Sequence, residues 1–204
     1  MGVDIRSIES KYKKGNKLLF SRDSECLRDL IRLIEEQSHR TLVMWALDCA
    51  QIPLAVLEER CPDERRPRRA LTLCESWARG MVKMPQAKRA ILDAHAAAKE
   101  LGRVCGAYAH AIGHAGATVH VETHALGLVF YELTGMVYDA GLDQCGQMID
   151  ERIGYYIVRL RHWREHTDTL DVTWAEFLLD DTRPNKEKVW NERRRNRLNG
   201  RVRQ

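Results

Sequence analysis

GRVCGAYAHAIGHAGATVHVETHALGLVFYELTG, residues 102–135, is the stretch on which the fold turns. Gly102, Gly106, Gly113 and Gly116 fall in its first half among alanines, and no formal charge stands between Arg103 and Glu122. A surface helix needs a polar face, and this segment has none, so it is read as a buried helix from about Arg103 to Val119. Glycine costs a helix interior about 1 kcal/mol relative to alanine. The compensation expected here is close approach of neighbouring helices over the small side chains. A break is expected near residues 121–123, then a second helix reaching Tyr138.

Working outward, the helical period persists in both directions. Toward the N-terminus, Pro85 opens a helix through Ile91, Ala94, His95 and Ala98 to about Leu101, and Pro67 suits the start of another that carries Ala70, Leu71, Cys74 and Trp77 to a stop at Gly80. A further helix from Ser38 or Arg40 to Glu59 holds Leu42, Trp45, Ala46, Cys49, Ile52, Val56 and Leu57, and Pro53 should kink or split it. Before it, Asp23 to Glu36 aligns Cys26, Leu27, Leu30, Ile31 and Ile34 on one stripe, with Ser21 or Ser24 available as a cap.

Toward the C-terminus, the loop AGLDQCG leads to a helix from about Gln147 to His166. A short helix with Trp174, Phe177 and Leu178 follows, capped by Asp171 or Thr173. The basic end offers a last helix holding Val189, Trp190 and Leu198. Runs of β-branched residues bounded by turns are almost absent. The expectation is an all-α fold, a compact bundle or array of about seven or eight antiparallel helices around a central small-residue helix. It divides into a basic arm or extra helix over 1–20, a main domain over 21–182 and a basic extension over 183–204.

With 204 residues, 44% hydrophobic and 30% charged, the chain is long enough to bury one core without disulfides and too apolar for a disordered one. Cys26, Cys49, Cys61, Cys74, Cys105 and Cys145 include no CxxC pair and read as small buried hydrophobes. The N-terminus has no apolar run after its basic residues, and nowhere do eighteen apolar residues follow one another, so a cytoplasmic protein without a membrane partner is expected. Charge is polarised: residues 121–182 hold twelve acidic against four basic side chains, whereas 183–204 hold nine basic against two acidic. Asp168, Asp171, Glu176, Asp180 and Asp181 are thereby candidates for contact with a basic partner. Arg193, Arg194, Arg195, Arg197, Arg201 and Arg203 offer nucleic acid as a weaker alternative.

Two constellations stand out. On an unbroken helix turning about 100° per residue, His110, His114, His120 and His124 share an arc of about 120°. Hydrogen-bonded packing is the plain reading of these rings; a metal site, with Glu122 as a base, is the sharper one, although HExxH is absent. Asp48 sits among apolar neighbours and needs a cation; Arg68, Arg69 and Arg89 are the expected partners. The charged run from Asp63 to Arg69 suits a solvated turn. No phosphate loop or nucleophile elbow occurs, so no catalytic residue and no cofactor are assigned.

RPRRALTLCESWARG, KRAILDAHAAAKE and GHAGATVHVETHALGLVFYEL together resemble an immunity-protein family of the fifth-immunity-family-like type, found in bacterial polymorphic-toxin settings. The matching positions are Trp45 and Asp48, Arg66 and Pro67, Trp77 and Gly80, Ala94 to Ala98 with His95, Gly113 and His114, then His120, His124, Ala125 and Gly127. Val119 departs from the alanine usual before the histidine. The resemblance spans about residues 39–135. It implies an all-helical cytoplasmic protein that protects its producer by binding a cognate toxin protein.

Overall fold

The computed structural model describes residues 5–202. Among them are ten α-helices, four short 3-10 turns and no strand. In chain order they are α1 (Ile5–Lys13), α2 (Arg28–Glu35), α3 (His39–Cys49), α4 (Gln51–Arg60), α5 (Arg66–Ala78), α6 (Met84–Glu100), α7 (Arg103–Ala117), α8 (Ala125–Ala140), α9 (Cys145–His166) and α10 (Lys186–Val202). The 3-10 turns cover Glu25–Leu27, Glu122–His124, Thr167–Thr169 and Glu176–Leu178.

Local chemistry sets the boundaries. Pro53 has no N–H to offer the Cys49 carbonyl. The chain therefore breaks at Ala50, and Pro53 falls in the first turn of α4, where a missing donor is harmless; the helix resumes with Leu54 N–H donating to Ala50 O at 3.1 Å. By length and composition His39–Arg60 could cross a membrane, with mean hydropathy 1.3, but 61% of that window is buried inside the fold. Ser38 caps α3, its hydroxyl accepting from Thr41 N–H. Ser24 does not cap a helix; its hydroxyl accepts from Ser21 N–H, and α2 is entered through the 3-10 turn. α5 ends at Gly80, whose φ of +73° is a conformation only glycine adopts without strain. Asp171 and Thr173 cap nothing, because the anticipated short helix is only the turn Glu176–Leu178, with Ala175 at its N-cap.

α7 packs against α3, α4, α5, α6 and α8. Its small residues permit this: a Cβ on Gly106 would lie 2.6 Å from the Ala98 carbonyl oxygen of α6, and one on Gly116 would lie 2.8 Å from Cys74 Sγ of α5. The apolar core runs continuously from Leu19 and Phe20 through Trp45, Ile112, Leu126 and Leu133 to Tyr156. One polar chain crosses it. Trp45 Nε1 donates to Tyr156 O at 3.0 Å, Tyr156 Oη donates to Glu132 at 2.6 Å, and Arg152 donates to the other Glu132 oxygen at 2.7 Å. Burial pushes the Glu132 carboxyl up to about 7.

The basic helix α10 docks on α2. Asn185 donates to the carbonyls of Ile34 and Gln37 at 2.9 and 3.0 Å, covering the end of α2. Glu187, fully buried, takes both arms of Arg22 at 2.6 and 2.7 Å. Of the cysteines, Cys49, Cys74 and Cys145 are buried as expected, but Cys26, Cys61 and Cys105 are only half-buried, and the sulfurs of Cys61 and Cys105 lie 3.1 Å apart.

Candidate functional site

Four imidazoles meet where α6, α7 and the start of α8 converge. His95 of α6 and His110 of α7 share a hydrogen bond between their Nδ1 atoms at 2.9 Å, and His114 of α7 does the same with His124 at 3.1 Å. His95 meets His114 edge-on with centroids 5.0 Å apart, so the rings form one seam in the order 110, 95, 114, 124. Tyr131 of α8 covers it, 4.7 Å from the His110 ring and stacked at 5.2 Å on His114.

Glycine makes the room. A Cβ on Gly113 would fall 2.7 Å from His95 Cε1, and one on Gly127 would fall 2.4 Å from His114 Nδ1. Gly113 and Gly127 are therefore the seats of His95 and His114. Burial pushes His114 down to about 3 and His95 to about 4, each helped by neighbouring imidazoles, and it lowers His110 and His124 as well. All four are neutral at pH 7. In each Nδ1 pair one ring donates and the other accepts, and the two pairs meet only through the edge-on contact of His95 with His114.

The expected quartet differs in one member. His120 is exposed and stacks on Trp77 at 6.1 Å, because Val121 is extended and the turn Glu122–His124 ends the helical arc between His120 and His124. His95 takes the fourth place. Its nitrogens pair with one neighbour at a time, and among the described residues no three His, Cys, Asp or Glu side chains converge to hold a metal ion. Of the residues grouped in the sequence, His110, His114 and His124 lie in the hydrogen-bonded seam, while His120 and Glu122 line a separate cleft.

Beyond His120 lies a second feature, a surface cleft of about 360 Å³ lined by His39, His120, Glu122, Asp180, Asp181 and Lys186, among others. Phe177, at 5.3 Å from Trp77, forms part of its wall. His39 Nε2 lies 2.7 Å from Thr118 O, and its Nδ1 is 4.0 Å from Glu122. Glu122 is 4% exposed, and its Oε2 has no hydrogen-bond partner. Sequence periodicity gave no sign of His39, which is placed here by the Ser38 cap of α3.

Asp48 does not pair with Arg68, Arg69 or Arg89. Arg68 is bound to Glu58, and Arg69 and Arg89 are exposed on the outer faces of α5 and α6. The carboxylate instead accepts from Arg159 Nε at 2.6 Å and Trp163 Nε1 at 2.8 Å, two residues one turn apart on α9. It is half-buried, not sealed in the core. Arg66 joins Glu64 and Glu100 at the start of α5, and Pro67 is buried beside it.

The five acidic candidates are all exposed. Arg40 holds Asp181 at 2.6 Å and Asp168 at 3.3 Å, Asp180 binds Thr182 and Arg183, and Asp171 and Glu176 make no ion pair among the described residues. On α10, Arg194 pairs with Asp23 and Arg195 with Glu35, while Arg193 and Arg197 are exposed. Arg203 lies outside the described residues.

A protein-family model matches residues 32–159, from within α2 through most of α9, and so takes in the whole histidine seam and the cleft residues His39, His120 and Glu122. No curated protein and no solved structure matches the chain. Spanning well over half of its length, that match settles the family: the chain belongs to the one described as Imm-5 like putative immunity protein.

Proposed function

We propose that this protein is a cytoplasmic immunity protein that binds a cognate toxin and so neutralises it. The observation that carries the reading is family membership over residues 32–159. The contact surface is assigned to the acidic segment after α9, with Asp168, Asp171, Glu176, Asp180 and Asp181 facing a basic surface of the toxin. Their exposure supports this, as do Trp174, half-buried under Arg79 with the guanidinium 5.0 Å from the ring, and Leu179, 51% exposed. Charge of one sign accelerates encounter, while apolar and aromatic groups hold the complex. Residues 21–182 form the binding unit in this reading, arranged about α7, with 1–20 and 183–204 as flanking basic segments.

Association with the purified toxic domain, followed by surface plasmon resonance at two salt concentrations, tests the surface. Reversing the five acidic charges should slow association at least tenfold at low salt and remove most of its salt dependence. Unchanged association kinetics in a folded variant would move the contact elsewhere.

A further inference from the structure

The cleft beside Trp77 contains an unfulfilled arrangement of acceptors. His39 Nε2 is 2.7 Å from a carbonyl oxygen, which only a protonated nitrogen can approach, so the hydrogen of the ring is on Nε2. Burial holds His39 below its ordinary range, against the pull of Glu122, and leaves Nδ1 with a bare lone pair. That lone pair faces a Glu122 oxygen 4.0 Å away, too far for a hydrogen bond between them. The other Glu122 oxygen has no donor at all, although the residue is 4% exposed. A buried carboxylate without a donor is costly.

The other carboxylates of the cleft are already engaged. Glu35 accepts from Asn191, Glu36 faces Arg164, Asp180 binds Thr182 and Arg183, and Asp181 binds Arg40. Lys186 and Lys188 also line the cleft but are exposed, and neither makes an ion pair among the described residues. Glu122 and His39 thus form a two-acceptor socket, and the rings of His120 and Phe177, which line the same cleft, supply flat walls beside it.

We infer that this socket receives an arginine side chain of the toxin, whose guanidinium donates to Glu122 and to His39 Nδ1. The inference rests on the toxin-binding reading and gives that contact an anchor distinct from the exposed acidic surface. A planar fork of donors can reach both acceptors while it lies flat against aromatic rings, a match of shape that a tetrahedral ammonium lacks.

The probe is N-acetylarginine amide, added to the full chain at pH 7 and followed by the nitrogen signals of the histidine side chains. A saturable shift of His39 Nδ1 is expected. It should be absent with the neutral isostere N-acetylcitrulline amide and weakened at least tenfold in Glu122→Gln. No saturation, an equal response to citrulline, or an equal response to N-acetyllysine amide would each overturn the assignment; a response to neither amide, with the socket filled by water alone, does so too. The wild-type comparison stands even where Glu122→Gln does not fold. Protection against the toxin is scored separately. Full protection by a folded Glu122→Gln variant with unchanged toxin affinity removes the arginine socket and leaves toxin binding standing, whereas absence of any toxin binding by the wild-type chain removes the reading on which the socket rests.

Discussion

Replacing Gly127 by alanine adds one methyl group to the first turns of α8, at a point where the ideal Cβ lies 2.4 Å from His114 Nδ1, 2.5 Å from Cγ and 2.9 Å from Cβ. The intrinsic helical preference of alanine favours the substitution by up to about 1 kcal/mol. Against it, the His114 ring must retreat by roughly 1 Å to reach ordinary contact distance. It has nowhere to go, since His95, His124 and Tyr131 occupy its other sides. Overpacking of this kind costs about 1–3 kcal/mol, and loss of the 3.1 Å bond to His124 leaves a half-buried nitrogen unpaired at about 1–3 kcal/mol more. The net expectation is destabilisation by about 1–6 kcal/mol, read by urea unfolding. Gly154→Ala is the matched control: nothing lies within 4 Å of its Cβ on the exposed face of α9, so the same substitution should stabilise by up to about 1 kcal/mol. In a His114→Ala background the cost of Gly127→Ala should disappear. A neutral or stabilising Gly127→Ala would refute the claim that glycine is there to seat the ring.

Further outcomes follow from the same geometry. The folded chain holds His95 and His114 near 4 and 3, below the ordinary 6.5, so the unfolded chain binds more protons across that window and stability falls as pH drops from about 6.5. Each ring contributes a slope of up to about 1.4 kcal/mol per pH unit; Glu132, raised to about 7, acts with the opposite sign between 4.5 and 7, and His114→Asn should flatten the histidine part of urea-derived stability against pH. Asp48→Ala should cost about 1.5–3 kcal/mol in denaturant unfolding, below the loss for a fully buried pair because Asp48 and Arg159 keep some solvent contact; a loss under about 0.5 kcal/mol would deny the Arg159 and Trp163 bonds any weight. With their sulfurs 3.1 Å apart, Cys61 and Cys105 should be the first pair that oxidised glutathione links, seen as a cross-linked tryptic peptide, and a different first disulfide would contradict the placement of α4 against α7.

The helices were legible because their signals are local. Pro53, Pro67, Pro85 and Gly80 mark boundaries by what they do to their own backbone, and the uncharged run after Arg103 announces burial without any partner being known. Partners across the fold were not legible. Asp48 demanded a cation, but which arginine answers depends on α9 crossing α3, and no spacing encodes that crossing; the pairing of Arg159 with Trp163 at i, i+4 becomes a signal only once the two helices are known to touch. The histidine seam failed in the same way at one member. An angular count along one helix admitted His120 and could not admit His95, which arrives from α6. Two hints were present in the sequence, a histidine among four alanines and a glycine at 113, each of which acquires meaning only from the other.

The claim that matters most is toxin neutralisation, and co-expression tests it most directly. A toxic domain chosen as the candidate partner is induced in a susceptible bacterium with and without the protein, growth is followed, and the two are recovered together by affinity capture. Restored growth together with a stoichiometric complex is the predicted result. No rescue and no complex, with both proteins expressed and folded, would contradict the immunity assignment for that pair.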